Sequence, residues 1–314
     1  MHKRLRILTW HVHGNYLYYL SQVPHDFYLY RDPDGGPERQ GRVGSLPWGD
    51  NVRNAPVGEL GTMQFDAVLY QSRSAWETDR WTLTEAQRSL PTLYLEHDPP
   101  QQHPTDTRHW VDDARVLLVH VTPFNQLMWD NGATPTVTVE HGVKLLADAV
   151  ADYSQPRGIT VVNHLYERGR RLGVDVFEDA RAVVPLDLVG MGAERFGYPG
   201  EVKNSELPDV LARYRFFFNP IRYTSLGLSI IEAMMVGLPV VGLATTELVT
   251  VIRNGENGYV DSRPQRLHDA MRALIDDPEE AARMGANARR TAYERFAIER
   301  FVQDWLQVFE QVTR

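Results

Sequence analysis

The chain has 314 residues, 43% hydrophobic and 24% charged, with a formal net charge of −8 and no cysteine. Length suggests about two packed domains rather than one; composition excludes a disordered chain; the absence of any long lysine or arginine block excludes broad nucleic-acid binding. Without cysteine there are no disulfides and no cysteine-ligated zinc, which fits a reducing, cytoplasmic setting, and no run of roughly 18 apolar residues offers a membrane span.

From the N-terminus, Met1-His2-Lys3-Arg4 is basic but lacks the apolar core and small-residue cleavage site of a signal peptide. It reads as a charged lead into a first strand over 6–11. Gly14 follows in a turn, where a missing side chain lets a helix over 15–22 approach a ligand closely. The span 32–62 is rich in Gly, Pro, Arg and Asn without periodicity, so a long functional loop is expected. Strands are then predicted over 67–70, 92–96, 115–120 and 136–140, with a helix over 84–89. The stretch 147–158 is polar and broken by Pro156 and Gly158, and reads as a hinge.

Beyond it, strands are predicted over 159–163, 186–189, 215–219 and 239–242, and helices over 174–182, 229–236, 264–275 and 278–296. Such alternation argues for an α/β chain with parallel sheets covered by helices. Phe301, Val302, Trp305, Leu306 and Phe309 share one face of a last helix, over about 297–314, which is expected to pack back across the first domain. No internal repeat of solenoid length is visible.

The stretch from Asn219 to Val241 carries the most chemistry. An apolar strand (Phe216-Phe217-Phe218) enters a polar loop, and a helix opens near Gly227. Free N–H groups and the positive end of the helix dipole make such an opening an anion site. Glu232, about a turn further in, cannot serve the same anion and suits the hydroxyls of a neighbouring ribose. Phosphate and ribose together indicate a nucleotide. Read blandly, Glu232 is an exposed carboxylate that stabilises the dipole, and Thr224 and Ser225 are helix caps. After the strand over 159–163 come Arg168, Arg170 and Arg171, whose planar guanidinium groups grip phosphate oxygens in pairs. His11, His13, His97, His120, His141 and His164 fall at or just past strand ends, where ligands of open sheets sit. Each alone reads better as a satisfied loop or core histidine, and no His-x-x-x-His spacing supports zinc.

Pro220, Gly227, Leu228, Glu232, Ala233, Met234, Gly237, Pro239, Val240 and Val241 together resemble the retaining glycosyltransferases of family 4. Thr246-Glu247, Asn254-Gly255-Glu256-Asn257-Gly258-Tyr259-Val260 and Met284-Gly285-Ala286-Asn287-Ala288-Arg289 resemble later segments of that family. The likeness covers about 159–296 well, and thins in the first half to Gly14, Glu96-His97-Asp98 and His141-Gly142-Val143. It implies the GT-B fold: two Rossmann-like domains facing each other across a cleft, here an acceptor-binding domain over 1–150 and a donor-binding domain over 151–296.

The resemblance implies a glycosyltransferase that moves a sugar from a nucleoside-diphosphate-sugar (UDP or GDP type) to a polysaccharide, lipid-linked or small-molecule acceptor, with retention and without a metal. The nucleotide sugar is a co-substrate and no cofactor is expected; a lipid-linked acceptor would bring peripheral membrane contact. His97, Arg168 and Arg171 are the candidate catalytic residues. Gly14, Asn163, Thr224, Ser225, Leu226, Gly227, Leu228 and Glu232 are the candidate donor-binding ones. Thr224 stands where the family has the first acid of its pair, and the strict Gly-Arg…Lys-Gly phosphate motif is absent. A non-catalytic nucleotide-sugar-binding subunit, or another GT-B enzyme such as a sugar-nucleotide epimerase or hydrolase, therefore remains an alternative. A dinucleotide-dependent oxidoreductase fits least, because His11-Val12-His13-Gly14-Asn15 is no Gly-x-Gly-x-x-Gly.

Overall fold

Two wholly parallel sheets organise the chain, seen here in a computed structural model that describes residues 3–12, 14–43 and 46–314. Met1, His2 and His13, one of the strand-end histidines, lie outside the described residues. The sheets belong to separate units, 1–142 with 298–314, and 143–297.

In the first unit, β1 (Arg6–Thr9), β2 (Asp26–Arg31), β3 (Val52–Pro56), β4 (Ala67–Tyr70), β5 (Thr92–Glu96), β6 (Val116–His120) and β7 (Thr136–Thr138) pair in the order β3-β2-β1-β4-β5-β6-β7. β4 and β6 are buried along their whole length, which is why they read as continuous apolar runs rather than alternating ones. The helix Ile298–Thr313 completes this unit's core. Phe301, Trp305 and Phe309 are fully buried on it, and the Trp305 indole N–H donates to the Tyr16 hydroxyl at 3.2 Å. A Cβ on Gly142 would meet the Phe301 Cβ at 2.1 Å, so only glycine fits beneath that ring.

In the second unit, β8 (Gln155–Val161), β9 (Leu186–Val189), β10 (Tyr214–Asn219), β11 (Val240–Leu243) and β12 (Gly258–Asp261) run in the order β12-β11-β10-β8-β9. Phe216 and Phe218 point into a core with Phe177, Leu188, Val241 and Met271, while Phe217 is buried on the opposite face. The helices Leu228–Val236 and Pro278–Phe296 touch through glycine: a Cβ on Gly285 would lie 2.0 Å from the Gly237 carbonyl oxygen.

Three strands were not expected from the pattern: β2, β3 and β12. The span 32–62 is not one loop, since β3 lies inside it. The expected hinge also needs correction, because Gln155, Pro156, Arg157 and Gly158 form the first half of β8. A Cβ at Gly158 would strike the Phe216 ring at 2.2 Å, so this glycine serves strand packing rather than a bend.

Each sheet reverses its winding once, between β1 and β4 in the first and between β8 and β10 in the second. In open α/β sheets, ligands collect outside the carboxyl ends of the strands at such a reversal. Both reversals are fastened alike. The buried Thr9 hydroxyl donates across to the Leu69 carbonyl at 2.8 Å, and the buried Thr160 hydroxyl to the Phe218 carbonyl at 2.9 Å.

Candidate functional site

At the reversal of the second sheet, β8 ends at Val161 and β10 at Asn219, and each runs into a loop and a helix. The helix after β10 spans Leu228–Val236, with Gly227 as its N-cap and no side chain capping it. Thr224 and Ser225 therefore do not cap it; they lie half-buried in the preceding loop. The Ser229 hydroxyl donates to the Val161 carbonyl at 3.2 Å and pins this helix opening to the end of β8. Orphan N–H groups and the positive dipole end thus sit at the edge of the reversal.

Glu232 lies about one turn inside that helix and is buried, with 7% of its surface exposed. That excludes the bland reading of a solvated carboxylate, because a charge is not buried without groups that hold it. Leu226 is buried as well, while Gly227 and Leu228 are half-buried at the opening.

The loop from Pro220 to Gly227 is held from several sides. The Arg222 and Tyr223 amides donate to the Arg171 carbonyl at 3.0 and 3.3 Å. Arg222 grips Asp175 through two bonds of 2.6 and 2.8 Å, which hold that carboxyl below its ordinary range. The Thr245 hydroxyl donates to the Ile221 carbonyl at 3.0 Å. Gly173, at φ +80, packs so closely that an added Cβ would lie 1.9 Å from the Pro220 carbonyl oxygen.

Of the three clustered arginines, Arg170 is taken by Asp175 at 2.5 Å. Arg171 is half-buried and makes no ion pair among the described residues; Arg168 is exposed. Both lie on the helix Leu165–Leu172, which is broken by Gly169 at φ 59. Asn163 lies just past β8 rather than within a strand. Its side-chain oxygen accepts the Met191 amide at 2.9 Å, and the His164 amide donates back to the Met191 carbonyl at 2.7 Å. Asn163 thus fixes the loop after β9 to the loop after β8.

His97 and Gly14 belong to the first unit, the other sequence-predicted residues to the second. His97 directly follows β5 and is buried; its Nε2 donates to the Gln71 side-chain oxygen at 3.1 Å. Gln71 in turn donates to the Thr9 hydroxyl at 2.8 Å and to the Trp10 carbonyl at 3.0 Å. His97 is therefore fastened to the reversal of the first sheet, with its ring edge-on to Tyr16 at 4.8 Å. Gly14 is the first residue of the helix Gly14–Leu20, and a Cβ there would sit 3.3 Å from His11 Nε2. Sequence reasoning did not single out Gln71, Thr9, Asp175, Arg222 or Ser229. Packing between segments distant in sequence brings them to these places.

Three of the strand-end histidines, His97, His11 and His120, hydrogen-bond to protein groups. His11 Nδ1 donates to the Gly41 carbonyl at 2.8 Å and His120 Nε2 to the Asn131 oxygen at 2.8 Å. Behind His97, Glu96 lies 3.1 Å from His109. Burial pushes the Glu96 carboxyl up to about 8 and the His109 imidazole down to about 4. His109 Nδ1 accepts the Val111 amide at 3.0 Å, so its proton is on Nε2 and is donated to Glu96. Near neutral pH this contact is a hydrogen bond rather than an ion pair, because desolvation outweighs the mutual attraction.

Residues 192–291 match the family model Glycosyl transferases group 1. Over 92 residues the chain is 33% identical to N-acetyl-alpha-D-glucosaminyl L-malate synthase of Bacillus anthracis, covering 29% of this chain and 24% of that protein. Over 157 residues it is 27% identical to alpha-D-kanosaminyltransferase of Streptomyces kanamyceticus, covering 48% and 38%. The chain thus spans well under half the length of the curated relatives it matches. Among solved structures it resembles sucrose-phosphate synthase of Thermosynechococcus elongatus, with a TM-score of 0.71 at 18% identity over 98% and 99% of the two chains. HepE of Anabaena, solved with UDP-glucose, gives a TM-score of 0.71 at 16% identity over 98% and 100%. The family resemblance read from 219–241 holds over 192–291, and the fold is GT-B. Among the described residues no helix is long and apolar enough to cross a membrane.

Proposed function

We propose that this protein is a glycosyltransferase that moves a sugar from a nucleoside-diphosphate-sugar donor to a carbohydrate, lipid-linked or small-molecule acceptor, with retention and without a metal. The observation that carries this reading is the reversal of the second sheet. There an uncapped helix opening with a buried carboxylate one turn inside it follows a loop held by the Arg171 carbonyl, and Arg171 makes no ion pair among the described residues. The N–H groups at Gly227 and Leu228 suit the diphosphate, and Glu232 the ribose hydroxyls. Thr224, Ser225, Leu226 and Asn163 shape the surrounding loops. Negative charge grows on the leaving diphosphate as the glycosidic bond breaks. Fixed guanidinium groups, Arg171 and Arg168, stabilise that charge more in the transition state than before it. Similarity to a glucosaminyl malate synthase and a kanosaminyltransferase, and the UDP-glucose complex of HepE, support a nucleotide-sugar donor. In this reading the first unit meets the acceptor, and His97 and Gly14 are its candidate site residues.

Thr224 favours a second reading, a nucleotide-sugar-binding subunit without turnover, since a hydroxyl replaces the family's acid. Thermal stabilisation by a panel of UDP- and GDP-sugars identifies the donor, because a ligand of the folded state alone raises the melting point. Nucleotide release is then followed with and without acceptor. Release in excess chelator, with an α-linked product from an α-linked donor, supports the first reading. Tight binding without release supports the second, and loss of activity restored by a divalent ion rejects the metal-free account.

A further inference from the structure

A second cleft, of about 540 Å³, lies in the first unit at the amino ends of β5 and β6, where Thr92 and Val116 line it. This is the rim opposite the carboxyl ends that carry His97, so the cleft is no part of the site above. Its size falls within the roughly 300–1,000 Å³ of small-ligand sites. Its wall is a ladder of indoles and guanidinium groups. Arg80 is sandwiched between Trp76 at 4.4 Å and Trp81 at 4.5 Å, and Arg88 lies over Trp81 at 5.5 Å.

Neither cation has a carboxylate within ion-pair distance among the described residues. Arg80 Nε is buried without a hydrogen-bond partner, and Arg88 donates only to the Leu83 carbonyl. Glu85 lines the cleft but pairs with neither, and Asp113 is taken by Arg115 through bonds of 2.9 and 2.7 Å. Arg39, Arg73, Arg108, Arg170, Arg222 and Arg295, by contrast, all sit on carboxylates. Trp81 leaves 62% of its surface to solvent beside these two cations. Stacking holds the guanidinium planes in place without neutralising them, so their charge remains available to an anion.

We propose that this cleft binds an acidic oligosaccharide, with a sugar ring against Trp81 and its carboxylate, sulfate or phosphate group held by Arg80 and Arg88. A bare anion would need no indole platform, and a neutral sugar no pair of unneutralised cations. The choice of a saccharide rests on the glycosyltransferase reading; the anion and ring site does not.

Calorimetry on the full chain tests it with three acidic hexasaccharides (a uronate, a sulfated and a phosphorylated one), neutral maltohexaose, inorganic phosphate, a single-stranded oligonucleotide and UDP. At least one acidic hexasaccharide is expected to bind, more weakly as salt rises. Arg88→Gln and Trp81→Ala, both at exposed positions, are each expected to weaken it at least tenfold and leave UDP affinity unchanged. Binding of none of the three, equal binding of maltohexaose, or affinity untouched by both variants overturns the proposal. So does tighter binding of the oligonucleotide, or of phosphate alone in a manner sensitive to both variants. If UDP does not bind while the saccharide and variant effects persist, the nucleotide-sugar reading fails and this cleft's assignment stands.

Discussion

Glu232 and Arg171 make opposite demands on their surroundings, and variants should separate them. A buried carboxylate beside a ribose contributes to binding donor and product alike. Glu232→Ala should therefore cost about 1.5–3 kcal/mol of UDP affinity, the worth of a charge-assisted hydrogen bond. Calorimetry measures this directly, and unchanged affinity would reject the ribose assignment. In the proposed reaction Arg171 faces charge that grows as the glycosidic bond breaks. Arg171→Gln should lower kcat on the order of a hundredfold while UDP affinity falls far less, a split read from steady-state kinetics beside calorimetry. Glu232 was legible in the sequence because its neighbours follow a local pattern of strand, loop and helix. The partners of His97 were not: Gln71 reaches the Trp10 carbonyl only because Leu69 pairs with Thr9 across two parallel strands. A contact made by register between distant segments leaves no periodic trace.

The same logic decides which elements could be read. β4, β5, β10 and β11 are almost wholly buried, so their apolar runs stand out between polar turns. β3 and β12 lie at sheet edges and are only partly buried; Val52-Arg53-Asn54-Ala55-Pro56 ends in a proline, which an edge tolerates. β2 is apolar over Phe27–Tyr30, yet it sits between the short stretch 21–25, broken by Pro24, and the stretch 32–37, rich in Pro, Asp and Gly. Glycines were harder still, since the sequence cannot say which are crowded. Gly173 and Gly169 make the contrast. Both have positive φ, but a Cβ on Gly173 would collide with the Pro220 carbonyl, and one on Gly169 meets nothing within 4 Å. Gly169 lies at φ 59, ψ −139, backbone that is strained for any residue with a Cβ, so Gly169→Ala should cost on the order of 1–3 kcal/mol, the backbone term alone. Gly173→Ala should cost clearly more and also weaken UDP binding, because it displaces the loop that leads to the helix opening. Urea denaturation and nucleotide titration of both variants check this, and equal costs would refute the crowding account.

Across the whole molecule the two units have separate cores, and the first is assembled from both ends of the chain. Unfolding need not be two-state, and any pH dependence should be sought unit by unit. Three buried titratable groups of the first unit set its direction. Glu96 rises from 4.5 to about 8, so the folded unit holds a proton that the unfolded chain releases. The stability this lends is fully present below pH 4.5 and is lost as pH rises toward 8. His109 and His120 fall from 6.5 to about 4, again through burial. They stay neutral when folded and charge when unfolded, so stability is lost as pH falls from 6.5 toward 4. Below pH 6.5 two imidazoles outweigh one carboxyl; above it the carboxyl acts alone. The transition of the first unit should therefore be most stable near pH 6.5. It should lose on the order of 2 kcal/mol by pH 8, followed by tryptophan fluorescence in urea. Glu96→Gln should lower the stability overall, since its amide cannot accept both the His109 and the Asp98 N–H, yet it should flatten the alkaline limb. An alkaline limb as steep in the variant as in the parent would show that a group other than Glu96 titrates there.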